Sequence, residues 1–141
     1  MSKKIHILFL CVANSARSQL AEGLAKELFG NSALIESAGS KPSGFVQPWA
    51  IQSLKEIGIE ISHHQSKSID DLGSDFLDRL DYVITLCEEE VCPVILTKAK
   101  KLHWPIKDPA HATEENKPDA FRTARNEIKE KLETFKKQIC C

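Results

Sequence analysis

The chain has 141 residues, a length that suits one domain spanning 1–141. Nineteen Lys and Arg stand against twenty Asp and Glu, and a formal net charge of -1 argues against a general nucleic-acid or membrane surface, so any anion site must be local. No apolar run approaches membrane-spanning length, and the run after Lys4 is too short for a secretory leader, so the chain reads as soluble and cytoplasmic. Five cysteines in that setting point to reduced or redox-active thiols rather than a structural disulfide framework.

Ile5–Leu10 is a short apolar run expected to form a buried parallel strand. From Ser18 to Phe29, Leu20, Ala21, Leu24, Ala25 and Leu28 share one helical face, and Gly30-Asn31 gives a stop. Ala33–Ser37 reads as a second strand and Gly39 to Gly44 as a loop. Pro48 opens a helix carrying Ala50, Ile51, Leu54 and Ile57, ended by Gly58. Ser74–Leu80 predicts a short helix, Tyr82–Leu86 a third buried strand, Val94–Ala99 a helical stretch and Lys101–Trp104 a fourth strand. A loop from Pro105 to Pro118 leads to a last helix with Phe121, Ala124, Ile128, Leu132 and Phe135 at steps of three and four. Strands alternating with helices imply an α/β fold with a parallel, doubly wound sheet. Ligands in such sheets bind at the carboxyl ends of the strands, where Cys11 sits.

The strongest local signal is Cys11-Val12-Ala13-Asn14-Ser15-Ala16-Arg17-Ser18, between that first strand and the helix. A loop wound against a helix N-terminus turns backbone N–H groups inward and forms an anion nest. Arg17 can fork onto two oxygens of a tetrahedral oxyanion. The same positive field favours the Cys11 thiolate, the reactive form. The Ser18 hydroxyl can donate to that sulfur, and the Asn14 side chain can brace the loop. Ser15 has no local base and is a weak rival as nucleophile.

On these residues the chain resembles the low-molecular-weight tyrosine phosphatase superfamily, and within it the arsenate reductases. The likeness extends through Gln19-Leu20-Ala21-Glu22-Gly23, Ser37-Ala38-Gly39, the stretch from Glu56 to Ser62, the stretch from Val83 to Cys87, Cys92-Pro93, His103-Trp104 and Asp108-Pro109-Ala110. It implies a four-stranded parallel sheet with helices on both faces. It also implies reduction of arsenate to arsenite with electrons from thioredoxin, phosphate or sulfate acting as substrate analogues, and no cofactor. Asp108 matches the general acid, which a leaving arsenate oxygen needs.

The implied mechanism has three exchanges. Cys11 attacks arsenate while Asp108 protonates the departing oxygen. Cys87 attacks Cys11, releasing arsenite and leaving a Cys11–Cys87 disulfide. Cys92 then attacks Cys87, and thioredoxin reduces the Cys87–Cys92 pair. Disulfide geometry demands close Cα atoms, so the segment Glu88–Pro93 is expected to move.

Three features depart from the family pattern. Glu88-Glu89-Glu90-Val91 makes a short spacer between Cys87 and Cys92. Ala16 stands where many relatives have a second loop cysteine. Lys67 stands where some relatives have an aspartate that helps hold potassium near Asn14, Glu22 and Ser37. It either substitutes for that ion or is a solvated loop lysine. Cys140-Cys141 read as incidental thiols of a frayed tail. His63, His64, His103 and His111 lack metal-ligand spacing, so no metal is expected. Trp104 reads as a core aromatic, and Phe45 and Trp49 as candidates for the pocket mouth. A monomer is expected. The rival functions are a tyrosine phosphatase working through a cysteinyl-phosphate, a non-catalytic oxyanion-binding or redox-sensing module, and a reductase coupled to glutaredoxin or a low-molecular-weight thiol.

Overall fold

The computed structural model describes residues 4–88 and 93–139. Its four strands are β1 (Ile5–Cys11), β2 (Ala33–Gly39), β3 (Tyr82–Thr85) and β4 (Lys100–His103). All pair in parallel in the order β2-β1-β3-β4. The central strand β1 is covered on both faces, which its unbroken apolar run requires. Ile7 and Phe9 point to one side and Leu8 and Leu10 to the other.

The α-helices among the described residues are α1 (Arg17–Phe29), α2 (Pro48–Lys55), α3 (Ser74–Asp78) and α4 (Lys117–Ile139). Ile7 and Phe9 face the larger core, where Leu20, Leu24 and Ala25 of α1, Ala50 and Leu54 of α2, and Phe121, Ile128 and Leu132 of α4 pack together. Leu8 and Leu10 face a smaller layer with Leu72, Leu80 and Val83, flanked by Phe76 and Leu77 of α3. The sheet is therefore flanked by helices on both faces. Trp104 packs on Phe9 and Phe135 at the core margin, in agreement with its expected role.

Two element assignments change. Val94–Ala99 is not helical. Val94 and Leu96 are exposed while Ile95 and Ala99 turn inward against the smaller core, the two-residue period of an extended chain. Pro93 and the β-branched Val94, Ile95 and Thr97 favour that conformation. The second helix closes at Lys55, short of Ile57, and Gly58 takes φ +84° in the turn beyond. The remaining differences are shifts of helix and strand ends.

Candidate functional site

β1 delivers Cys11 to the carboxyl edge of the sheet, and residues 12–16 carry the chain into α1. Cys11, Asn14, Ser15, Ala16, Arg17 and Ser18 are all buried. No side chain caps α1 at Ala16, so the positive end of the helix meets the loop uncovered by a side-chain oxygen. Asn14 takes φ +49°, a left-handed conformation that Asn tolerates better than most residues. One such residue inside a right-handed stretch makes successive N–H groups converge.

A second loop holds the first from outside. The carbonyls of Val12, Ala13 and Ser15 accept from the backbone N–H groups of Lys41, Ser43 and Gln47 at 2.8–2.9 Å. The Ser66 hydroxyl also donates to Ala13 O at 3.1 Å. With these three carbonyls drawn outward, the N–H groups of the same trans peptides, those of Ala13, Asn14 and Ala16, point the opposite way, inward. Gly39 lies so close beneath that a Cβ there would collide with Val12 O and stand 3.0 Å from Asn14 N.

Asn14 braces the loop with every polar atom of its side chain. Its Nδ2 donates to Ser18 Oγ at 2.8 Å and Ser37 Oγ at 2.9 Å. Its Oδ1 accepts from Lys67 N at 2.7 Å and Gln19 Nε2 at 3.1 Å. Gln19 Nε2 also reaches Asn14 O at 3.1 Å and Gln65 O at 2.9 Å. With its amide nitrogen so directed, Gln19 presents Oε1 to His64, whose Nδ1 must therefore donate across 3.1 Å.

Behind this brace sits the buried Glu22. Ser37 Oγ donates to its Oε1 at 2.5 Å, Lys26 Nζ lies 2.6 Å from Oε2, and Lys67 Nζ is 3.6 Å from Oε1. Burial raises the Glu22 carboxyl, but His64, the two lysines and the Ser37 hydroxyl together hold it below its ordinary value. Burial pushes His64 down to about 4, against the opposing pull of Glu22. Lys67 is half-buried and places its ammonium between Glu22 and Glu36, the latter at 3.2 Å.

Arg17 ties the loop to the segments that follow β3 and β4. Its Nη1 donates to Leu86 O at 3.3 Å and Ile106 O at 3.0 Å, and its Nη2 lies 3.5 Å from Asp108 Oδ2. Asp108 starts a short 3-10 turn over Pro109–His111, and its Oδ1 accepts from Ala110 N at 3.0 Å. The other oxygen faces the cradle. Cys87 is buried two residues beyond β3, the strand paired with β1, and is disulfide-bonded.

The structure therefore brings Cys11, the 12–18 loop, Arg17, Asp108 and Cys87 to one edge of the sheet. Cys92, Cys140, Cys141 and most of the expected mobile stretch Glu88–Pro93 lie outside the described residues. Phe45 is exposed in the loop that lines the cradle, whereas Trp49 is half-buried against the larger core. Among the described residues no group of three or more His, Cys, Asp or Glu is placed to hold a metal, and no described helix is long and apolar enough to cross a membrane. The buttressing loop at 41–47 and the link from His64 through Gln19 were not legible in the sequence. The only signal for the latter was Gln19 itself, a polar side chain on the apolar side of a helix.

β1 thus ends on a buried cysteine, and the loop that follows leads into a buried arginine paired with Asp108, an arrangement of the phosphatase-like α/β class. The model of the low molecular weight phosphotyrosine protein phosphatase family matches residues 6–140, and the chain belongs to that family. It is 43% identical over 139 residues to an arsenate reductase of Bacillus subtilis, with 96% of each chain covered. It resembles a solved arsenate reductase in a phosphate-binding state, with TM-score 0.76, 34% identity and 99% of each chain covered. It also resembles a thioredoxin-dependent arsenate reductase of Corynebacterium glutamicum, with TM-score 0.71, 29% identity, and 97% of this chain and 64% of that one covered.

Proposed function

We propose that this protein reduces arsenate to arsenite, working as a single-domain, cytoplasmic monomer with thioredoxin as reductant. The amides of Val12, Ala13, Asn14, Ser15, Ala16, Arg17 and Ser18 and the Arg17 guanidinium hold the tetrahedral anion. Its charge is met by donors already in place, so little reorganisation is needed when charge builds up. The Cys11 thiolate attacks arsenic, and Asp108 gives its proton to the oxygen that leaves as water. With its own disulfide first reduced by the external dithiol, the Cys87 thiolate then attacks the Cys11 sulfur. The As–S electron pair goes to arsenic, arsenite departs, and a Cys11–Cys87 disulfide remains. Attack by Cys92 on Cys87 returns Cys11 to its thiolate and leaves the Cys87–Cys92 disulfide for the external dithiol.

The observation that carries this reading is the position of Cys87. A phosphatase needs one thiol. Here a second cysteine, Cys87, buried and disulfide-bonded, sits just beyond the strand next to the one that delivers Cys11, which is the redox chemistry a reductase needs. The names of the similar proteins support the same substrate and reductant.

The test follows arsenite formation with thioredoxin and its reductase for the native chain and for Cys11→Ser, Cys87→Ser and Cys92→Ser. All three variants should lose multiple turnover, and Cys92→Ser should still reduce one arsenate per enzyme. Full multiple turnover by Cys87→Ser would show the relay to be wrong. Hydrolysis of an aryl phosphate without arsenite formation would point instead to a phosphatase.

A further inference from the structure

The first step proposed above consumes a proton: Cys11–S⁻ + H₂AsO₄⁻ + H⁺ gives Cys11–S–AsO₃H⁻ + H₂O. Asp108 must therefore be reloaded in every cycle. Its Oδ1 is held by the Ala110 amide at 3.0 Å. Its Oδ2 lies 3.5 Å from Arg17 Nη2 and 3.5 Å from His111 Nε2. Arg17 is buried on the cradle side, and a guanidinium does not give up a proton at any working pH. His111 stands on the solvent side with its side chain 84% exposed. Imidazole is the side chain whose ordinary titration spans neutral pH, so it can both take and give a proton there. A cleft of about 480 Å³ between this turn and α4 opens beside the pair and is lined by Asp108, His111, Thr113, Asn116 and Thr123. Lys107, Asp119 and Glu127 also line that cleft. Among the described residues Arg17 and His111 are the basic side chains paired with the Asp108 carboxylate.

We infer that His111 is a positioning residue that acts through Asp108, relaying protons from solvent to Oδ2. The imidazolium passes its Nε2 proton to Oδ2, Asp108 passes it to the departing arsenate oxygen, and a buffer acid or hydronium reprotonates Nε2. The separation of 3.5 Å is closed by a small rotation or one bridging water. The inference rests on the arsenate-reductase reading and names the proton path of that same site. The turn itself does not depend on the imidazole, because Asp108 O accepts from the His111 backbone N–H at 3.3 Å.

The experiment uses the reduced full chain in excess over arsenate and quenches single turnovers at fixed pH and ionic strength while imidazole is raised from a low concentration. Native protein should give an arsenite rate independent of imidazole. His111→Gln should be slower by about tenfold at low imidazole, part of the roughly 10²- to 10⁴-fold that general acid catalysis supplies, and should recover as imidazole is added. An unchanged rate at low imidazole overturns the relay. So does a loss that imidazole does not reverse, since that marks a structural effect. Absence of arsenite from the native chain would instead sink the reductase reading itself.

Discussion

Arg17 joins three parts of the site through one side chain, with Leu86 and Ile106 carbonyls on one nitrogen and Asp108 near the other. A lysine keeps the charge but cannot make that planar fork. Arg17→Lys should therefore lower kcat/KM for arsenate by about 10²- to 10³-fold, the cost of losing one preorganised oxyanion donor, while the far-ultraviolet circular dichroism stays native. A change of only a few-fold would mean that charge alone suffices. His64 supplies a second expectation. Its folded value of about 4 lies below the ordinary 6.5, so the unfolded chain binds the extra proton first as pH falls. Stability should fall as pH drops from above 6.5 toward 4, by about 2 kcal/mol between pH 7.5 and 5. Glu22, also held low, adds its loss only below its ordinary carboxylate range. Urea unfolding at the two pH values should show the slope in the native chain and a flatter one in His64→Gln. An equal slope in both proteins would assign the acid sensitivity elsewhere.

Among the elements, the junction of β1 with α1 does most for function, and β2 limits its shape from below. Gly39 ends β2 directly under the oxyanion loop, where an added methyl would meet backbone atoms that cannot rotate away. Gly39→Ala should force the loop outward, an overpacking that costs about 1–3 kcal/mol of stability, and should weaken anion binding. Phosphate titration by calorimetry reads this directly, and unchanged affinity would show that the loop relaxes without losing its donors. The strand–loop–helix order itself was evident in the sequence, because an apolar run, the Cys-X5-Arg spacing and a helical stripe follow one another within 29 residues. The stretch Val94–Ala99 misled for the converse reason. A short apolar segment fits either period, and only packing of Ile95 and Ala99 against the smaller core chose the extended one.

Across the whole molecule the site is one end of a charged brace that runs from the oxyanion loop through Asn14 and Ser37 to Glu22, and Lys67 closes it. The ammonium lies 3.6 Å from Glu22 Oε1, so positive charge already stands beside the carboxylate. Arsenate turnover should accordingly proceed at the same rate in potassium as in sodium at matched ionic strength. Clear stimulation by potassium would show that the lysine leaves the cation's place open. The general lack of net charge fits this picture, since attraction for the anion arises from a few oriented groups rather than from the surface as a whole.

The placement of Cys11 and Arg17 between strand and helix and the parallel sheet were readable from residue order, because a strand, a loop and a helix are built from contacts between near neighbours along the chain. The resemblance marked Asp108 and Cys87. Their meeting at one edge with Cys11, the amides of 41–47 that turn the loop inside out, and the pairing of Lys67 with Glu22 all required the folded chain. Those contacts join residues up to 91 positions apart, as Arg17 and Asp108 are. Periodicity reports which face of an element is buried, not which distant loop closes against it.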